Sequence, residues 1–428
     1  MKLNLISSND NINDNLKTFQ NINFIINNSK HNILLIDNFF NSKFVHKLQL
    51  LNQNYVILNK HKKLEDYLNQ NLHIYYLCDK LISKEIIIKY RNLIENIYTI
   101  SENKEDVFNF QNLILHNNIE LEECFINIYK LEKSEELNYL NLLREVLENG
   151  NLRSTRNANT YSLFSKNLTF DLSKGFPLLT TKKMFLRGIF EELMFFIKGE
   201  TNTKILEEKG VNIWKGNTSK EFIEKCNLPY KEGDMGPMYG FQWRHFGADY
   251  KGSEFDYTRK GYDQIEEILD LLLKDPYSRR IIMTNYNPTQ SKCGVLFPCH
   301  SIVLQFYVTE MENKKMVSMN MYQRSVDSFL GLPFNISSNA LFLHLICNVL
   351  NSRINSEIYF PHILNIIMGD VHIYEEHIDS VKTQLERIPL DFPKIEIKQK
   401  NNLEDFLWED INVLNYKFYE SIKAKMIV

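Results

Sequence analysis

The first 130 residues of this 428-residue chain contain neither glycine nor proline. Nucleotide-binding loops usually need glycine where backbone meets phosphate, so this stretch is odd for a catalytic domain. Cysteine is sparse and scattered: six residues, at positions 78, 124, 226, 293, 299 and 347, with no CxxC pair and no metal-ligand spacing. That leaves no basis for a disulfide framework or a zinc site. No apolar run reaches the roughly 18 residues of a membrane span, and Met1-Lys2-Leu3-Asn4 opens without an apolar signal core, so no membrane partner and a cytoplasmic or nuclear location are expected. An excess of either charge is missing too. With a net charge of −3 there is no general pull toward nucleic acid, and clustered arginines have to serve a small anion.

What is present is an ordinary globular composition, 44% hydrophobic and 24% charged, long enough for two domains. Residues 1–130 are rich in Asn, Ile, Leu and Lys, with strand-like runs at 33–36, 55–58 and 74–77 and a helix-like stretch at 81–93, an alternating α/β order. A charged segment at 131–138 reads as the linker. From 139 to 428 Gly, Pro, Trp and Arg return, and turn signals such as Gly175-Phe176-Pro177 punctuate the chain. Helices are expected at 139–147 and 186–198, strands at 280–284, 301–308 and 316–322, and a long apolar helix after Asn335. The second region is therefore of α+β class.

The chemistry centres on Pro298-Cys299-His300, followed by Gln323-Arg324-Ser325-Val326-Asp327. A cysteine attacks as its thiolate, and a nearby arginine lowers a thiol pKa from its usual value of about 8.5. Arg279-Arg280, Arg324 and Arg156 invite a shared phosphate dianion, which accepts several guanidinium forks at once. Taken singly, each arginine is more often a solvated charge. Glu192 shares a helix face with Ile189, Leu193 and Phe196, which points its carboxylate at the core and raises its pKa toward acid/base use, whereas Glu191 turns away toward Arg187. Asn335 can cap the helix that follows it or read a pyrimidine edge with its amide. Asp327 can be a cap or a turn residue. His372 and Tyr374 alternate after Gly369-Asp370, on one face of an extended segment, able to hydrogen-bond a sugar hydroxyl. Trp214 and Trp243 are more often core than stacking platforms, although Trp214 lies beside the polar turn Lys215-Gly216-Asn217.

With these residues stand Gly175-Phe176-Pro177-Leu178-Leu179-Thr180-Thr181-Lys182, Gly236-Pro237-Met238-Tyr239-Gly240-Phe241-Gln242-Trp243-Arg244, Ser278-Arg279-Arg280-Ile281-Ile282 and Gly331-Leu332-Pro333-Phe334-Asn335-Ile336. From about Tyr139 to Val428 the chain resembles thymidylate synthase. The resemblance implies that fold, a mixed sheet with helices, and reductive methylation of dUMP by 5,10-methylenetetrahydrofolate to dTMP and dihydrofolate, with no metal. Cys299 would add to C6 of the uracil. Arg156, Arg324 and Ser325 would hold the phosphate, joined by Arg279 and Arg280 of a second subunit, which makes a homodimer. His300, Gln323, Asp327 and Asn335 would contact the nucleotide, His372 and Tyr374 its ribose, while Glu192 and Tyr239 would manage proton transfers. Ile213, Trp214, Asn217, Asp327, Leu330, Gly331 and Phe334 would line the folate site, Lys182 would meet the glutamate tail, and Val428 would close over the ligands. Related dCMP hydroxymethylases carry an acidic residue where this chain has Asn335, so the amide implies dUMP.

The chain departs from that family in two places. The loop usually written Arg-Thr-Gly-Thr-Gly-Thr is Arg156-Asn157-Ala158-Asn159-Thr160-Tyr161 here, and Asn415-Tyr416-Lys417-Phe418-Tyr419-Glu420 replaces a Pro-His-Pro turn. A catalytically dead relative, or a chain that is chiefly an interaction protein, are the competing readings. Residues 1–130 resemble, faintly, the reductase half of a protist-type bifunctional dihydrofolate reductase–thymidylate synthase. Cys78-Asp79 stands where that reductase has Gly-Gly against the NADPH pyrophosphate, and Asp37-Asn38-Phe39-Phe40 where it has Gly-Arg-Lys-Thr. A degenerate α/β domain that neither binds NADPH nor reduces dihydrofolate is the expectation.

Overall fold

The computed structural model describes residues 134–387 and 389–427 in full and, of residues 1–133, the backbone of seven strands. The chain divides into two compact units, Met1–Ser134 and Glu135–Val428.

In the first unit the strands are β1 (Lys2–Ser8), β2 (Ile33–Ile36), β3 (Val56–Asn59), β4 (His73–Cys78), β5 (Ile94–Ser101), β6 (Leu113–Leu121) and β7 (Cys124–Leu131). They form one sheet in the order β3-β2-β4-β1-β5-β7-β6. The first five run parallel, and β7 pairs antiparallel with both β5 and β6. Parallel neighbours need long crossovers, which the segments between β1, β2, β3, β4 and β5 are long enough to supply. The three expected strands coincide with β2, β3 and β4 to within a residue. The expected helix at 81–93 lies outside the described residues.

The second unit is built on a six-stranded sheet in the order β10-β11-β12-β13-β9-β8, from β8 (Asn151–Ser154), β9 (Asn159–Asp171), β10 (Ile282–Thr284), β11 (Val303–Met311), β12 (Lys314–Asp327) and β13 (Tyr359–Tyr374). Only β12 and β13 pair in parallel; the remaining neighbours are antiparallel. Period-two alternation sends Leu304, Phe306, Val317, Met319, Met321, Leu364, Ile366 and Phe170 to the buried face. Against that face lie α1 (Glu136–Asn149), α2 (Leu186–Ile197) and α7 (Gly331–Ile354). Between α2 and α7 come the shorter α3 (Lys204–Glu208), α4 (Lys220–Lys225), α5 (Gly240–His245) and α6 (Gln264–Lys274); α8 (Ile378–Leu385) follows β13.

The α+β class holds for this unit. The boundary between the two units falls within 131–138, the segment expected as a linker, which also holds the last residue of β7 and the first residues of α1. Glu136, the first residue of that helix, is fully buried. Its carboxylate accepts hydrogen bonds from the N–H and hydroxyl of both Thr180 and Thr181, at 2.5 to 2.9 Å. Four donors make the burial tolerable, although desolvation still leaves the carboxyl pKa raised. It lies in the charged segment expected as a linker, and the two threonines facing it hold it in the core instead.

Candidate active site

Cys299 lies on the loop before β11, and its carbonyl accepts from the Arg324 N–H at 2.8 Å, which fastens that loop to the end of β12. The Arg324 side chain repeats the link, donating from Nε to the Pro298 carbonyl at 3.1 Å and stacking its guanidinium 5.0 Å from the centre of the Phe297 ring. The thiol is partly exposed, with its Sγ 3.4 Å from the Tyr239 hydroxyl; the same oxygen accepts from the Cys299 N–H at 3.4 Å. Tyr239 is held for this contact by an unusual backbone (φ 39°, ψ −101°) and by stacking on His300 at 4.4 Å between ring centroids. A positive φ in a bulky residue is costly, and here it accompanies the phenol's placement beside the thiol.

One expectation is corrected. Arg324 and the Tyr239 hydroxyl both pull the thiol pKa down, but burial is the largest influence and the net result is a raised pKa. The arginine moderates the cost of the thiolate without making it the resting form. Loss of hydration outweighs one guanidinium, two of whose donors are turned to the Pro298 and Phe297 carbonyls.

Glu192 is buried on α2 and accepts from the Trp214 indole N–H at 2.8 Å. Burial pushes its carboxyl up to about 7, against the smaller opposing effect of the indole hydrogen bond. His300, beside the thiol, is driven by burial down to about 4 and is neutral. Glu191 does not pair with Arg187 as expected; it too is buried and meets Lys209 at 2.6 Å. Helix α2 is buried almost all round, so an amphipathic reading of its two carboxylates could separate only one of them from solvent.

Asn335 is not the N-cap of α7. The helix starts at Gly331, and the N–H groups of Phe329 and Leu330 are held by Asp327 Oδ1 at 2.9 and 3.1 Å. Asp327 therefore supplies the turn that precedes the helix, and Asn335 sits one turn in, buried, its Oδ1 accepting from Gln323 Nε2 at 2.8 Å. Gln323 Oε1 is buried with no hydrogen-bond partner in the protein. A buried amide oxygen left open beside a second amide is what a ligand donor would complete.

A cavity of about 220 Å³ opens next to these groups, lined by Thr155, Arg156, Asn157, Thr160, Ser325, Asp370, His372 and Tyr374. It unites Arg156, Ser325, His372 and Tyr374, four of the residues singled out from sequence. His372 and Tyr374 share a face of β13, with ring centroids 5.2 Å apart. Asp370 was not foreseen. Its Oδ1 is 2.8 Å from His372 Nδ1 and its other oxygen accepts from Arg153 at 2.6 Å. The signal was the i, i+2 spacing that already paired His372 with Tyr374.

The remaining residues divide. Trp214 and Asn217 are buried, and Ile213, Leu330, Gly331 and Phe334 are partly buried. Lys182 is buried as well, with its ammonium on the Phe329 carbonyl at 2.5 Å and 3.8 Å from the centre of that ring; burial drives its pKa down to about 7. Val428 lies outside the described residues. The tail before it is tied down: Tyr416 donates to the Leu179 carbonyl at 2.8 Å, the Tyr419 N–H to Thr180, Arg387 to Glu420, and His377 Nε2 meets the Lys425 carbonyl at 2.8 Å. Arg279 and Arg280 are exposed on the approach to β10. Since β10 and β8 are opposite edges of the sheet, about 24 Å apart at ordinary strand spacing, this pair does not join Arg156 within one chain. Among the described residues no group of three or more His, Cys, Asp or Glu is placed to hold a metal ion, and no helix is long and apolar enough to cross a membrane.

The family model for thymidylate synthase matches residues 137–428, all but the first two residues of the second unit. The chain belongs to the thymidylate synthase family. Members are methyltransferases that make dTMP with a folate co-substrate. A thymidylate synthase from Candida albicans is 45% identical over 312 residues, covering 68% of this chain and 96% of that protein. A bifunctional dihydrofolate reductase-thymidylate synthase from Paramecium tetraurelia is 40% identical over 353 residues, covering 82% of this chain and 72% of that one. The corresponding bifunctional protein of Zea mays is 41% identical over 300 residues, which span 69% of this chain and 55% of the maize protein.

Proposed function

We propose that this thymidylate synthase family member is an active enzyme that converts dUMP to dTMP with 5,10-methylenetetrahydrofolate, through a covalent adduct on Cys299. The carrying observation is the placement of the Cys299 thiol between the Tyr239 hydroxyl and the Arg324-bearing strand end, beside the Arg156, Ser325, His372 and Tyr374 cavity. Arg156, Arg324 and Ser325 take the phosphate, and His372 with Tyr374 takes the ribose hydroxyl. The Gln323–Asn335 amide pair faces the base edge, which explains the open Gln323 oxygen. Addition of the thiolate at C6 turns C5 into the nucleophile that attacks the folate methylene. Glu192, with a carboxyl near 7, is suited both to give and to take a proton at neutral pH, and Tyr239 stands at the reacting end. Ile213, Trp214, Asn217, Asp327, Leu330, Gly331 and Phe334 form the folate side. Lys182 reaches a glutamate tail only by leaving the Phe329 carbonyl.

The active species is a homodimer. Register across the strands places Ile282, Tyr307, Tyr322 and Ile367 on the outer face of the sheet, and all four are exposed. A two-fold axis through that face covers them and brings Arg279 and Arg280 of one subunit toward the Arg156 cavity of the other, a path that the sheet denies them within one chain. The N-terminal unit is a degenerate reductase fold without NADPH binding: five parallel strands followed by an antiparallel hairpin suit that ancestry, and Asp37 follows β2 directly while β4 ends at Cys78, where a phosphate would need glycine.

Incubation with 5-fluoro-dUMP and methylenetetrahydrofolate tests the synthase reading. An active site traps a covalent ternary adduct on Cys299, visible by intact mass and lost in Cys299→Ser. Folded protein that forms no adduct refutes it in favour of a dead site. Saturable NADPH binding would overturn the assignment of the N-terminal unit.

A further inference from the structure

One carboxylate of the cavity has no task in the reaction proposed above. Asp370 stands two residues before His372 on β13, so the two side chains leave the strand on one face. Its Oδ1 lies 2.8 Å from His372 Nδ1, and its Oδ2 accepts from Arg153 Nη1 at 2.6 Å. The arginine reaches in from the edge strand β8, where Arg153 pairs with Thr160 of β9 and Thr160 in turn with Tyr374 of β13. Partial burial pushes the Asp370 carboxyl up, but the His372 hydrogen bond and the Arg153 charge work against it, and the net result lies below its ordinary value. The group is a carboxylate at neutral pH, and a carboxylate can only accept. The proton of the short contact therefore belongs to His372 Nδ1, which leaves Nε2 of the uncharged ring as a bare acceptor. Asp370, His372 and Tyr374 line the same cavity, with the two rings edge to face.

We infer that Asp370 is a positioning residue that holds His372 as the Nδ1–H tautomer and thereby makes the site demand a hydrogen-bond donor, a free hydroxyl, at the 3′ carbon of its nucleotide. This rests on the synthase reading above, which puts His372 and Tyr374 on the ribose. The 3′-hydroxyl donates to His372 Nε2 and accepts the phenol O–H of Tyr374 on its own oxygen, a pairing that a 3′-deoxy sugar cannot make. A site built around a hydroxyl rejects the analogue that lacks it far more sharply than an apolar pocket does. Arg153 is largely exposed, its side chain 58% accessible, so its ion pair adds little binding energy of its own. Its task is to hold the second carboxylate oxygen so that the first stays on the imidazole.

Asp370→Asn is the isosteric probe. Arg153 has only donors and claims the amide oxygen, which turns the amide nitrogen toward His372 Nδ1, and the ring must then carry its proton on Nε2. The expected result is a KM for dUMP raised about tenfold, the scale of one or two lost hydrogen bonds, with kcat within about threefold of wild type. Titration with 2′,3′-dideoxyuridine 5′-monophosphate should give nearly the wild-type affinity, so the preference for the 3′-hydroxyl shrinks by about the same factor. Asp370→Ala frees the ring to take either tautomer and falls between. An aspartate that merely supports the strand would weaken both nucleotides alike, and that outcome overturns the inference. Nitrogen NMR shifts of the His372 ring in the intact wild-type protein, taken at about pH 8, above the ordinary imidazole range, and assigned by their loss in His372→Gln, read the tautomer whether or not the Asp370 variants fold. A proton on Nδ1 supports the assignment, and one on Nε2 overturns it. Wild-type protein that prefers dUMP to the dideoxy nucleotide but does not turn over sinks the synthase reading and leaves this one standing. Turnover with equal affinity for the two nucleotides does the reverse, and binding of neither overturns both.

Discussion

Replacing Glu192 by glutamine should make the protein more stable and nearly inactive at once. The side chain is buried on α2 with one hydrogen bond, from the Trp214 indole, and ionises near pH 7 in the folded chain against about 4.5 when unfolded. Below pH 4.5 both states hold the proton and the group is neutral to stability. Between pH 4.5 and 7 the unfolded chain releases its proton first, so stability falls as pH rises; above 7 both states are ionised and the penalty stays constant. At about 1.4 kcal/mol per pH interval of one, the loss approaches roughly 3 kcal/mol by pH 8. Glutamine keeps an acceptor for the indole and carries no charge to desolvate. The variant should therefore match wild type near pH 4.5 and exceed it by a few kcal/mol at pH 8, on the order of 5 °C in unfolding midpoint for a domain of this size. Differential scanning measurements of both proteins from pH 4.5 to 8.5 check this. Turnover of the variant should drop by about 10² to 10³, and the bend near pH 7 in the wild-type profile of log kcat should vanish. A stability difference that is flat across pH, or a variant less stable at pH 8, would refute a desolvated carboxylate at this position.

Other consequences are equally direct. Glu136→Gln can satisfy the Thr180 and Thr181 donors with one oxygen instead of two, so denaturant unfolding should show a loss of about 2 to 4 kcal/mol with no change in the KM for dUMP. Arg280→Ala and Cys299→Ser should each be inactive alone, yet remixing their subunits should restore about a quarter of wild-type activity, because half the dimers are mixed and each carries one intact site. Activity that stays at zero after verified exchange would argue against arginines shared between subunits. Tyr416→Phe removes the bond to the Leu179 carbonyl and the acceptor for the Met184 N–H, so trypsin should cut the tail at Lys423 and Lys425 several-fold faster, while an unchanged cleavage rate would show that the tail is held by its other contacts.

The site was legible where one residue type has one plausible chemical use and its neighbours in sequence are its neighbours in space. Residues 298–300 and 323–327 are such a case, since the loop and the end of β12 meet through a single backbone hydrogen bond between Cys299 and Arg324. The alternating His372 and Tyr374 could be placed on one face because a strand fixes that geometry. Legibility failed where the deciding contact comes from far along the chain. Glu136 is stabilised by threonines 44 and 45 residues away, so local charge pointed to a linker while the tertiary partner dictated burial. Asn335 had the local look of a cap, yet Asp327 had already started the turn, and the role passed to the residue that came first. The thiol shows the same limit in electrostatic form. Sequence can count an arginine beside a cysteine, but the balance between its field and the lost hydration depends on how deeply both are set, and here hydration wins. The loop after Arg156 completes the argument: Ala158 and Thr160 stand where the family pattern has glycine, and in the fold Thr160 pairs with Tyr374 in the β9–β13 ladder while the neighbouring Asn159 donates to Glu375 at 3.0 Å, so the same change supplies order in place of freedom.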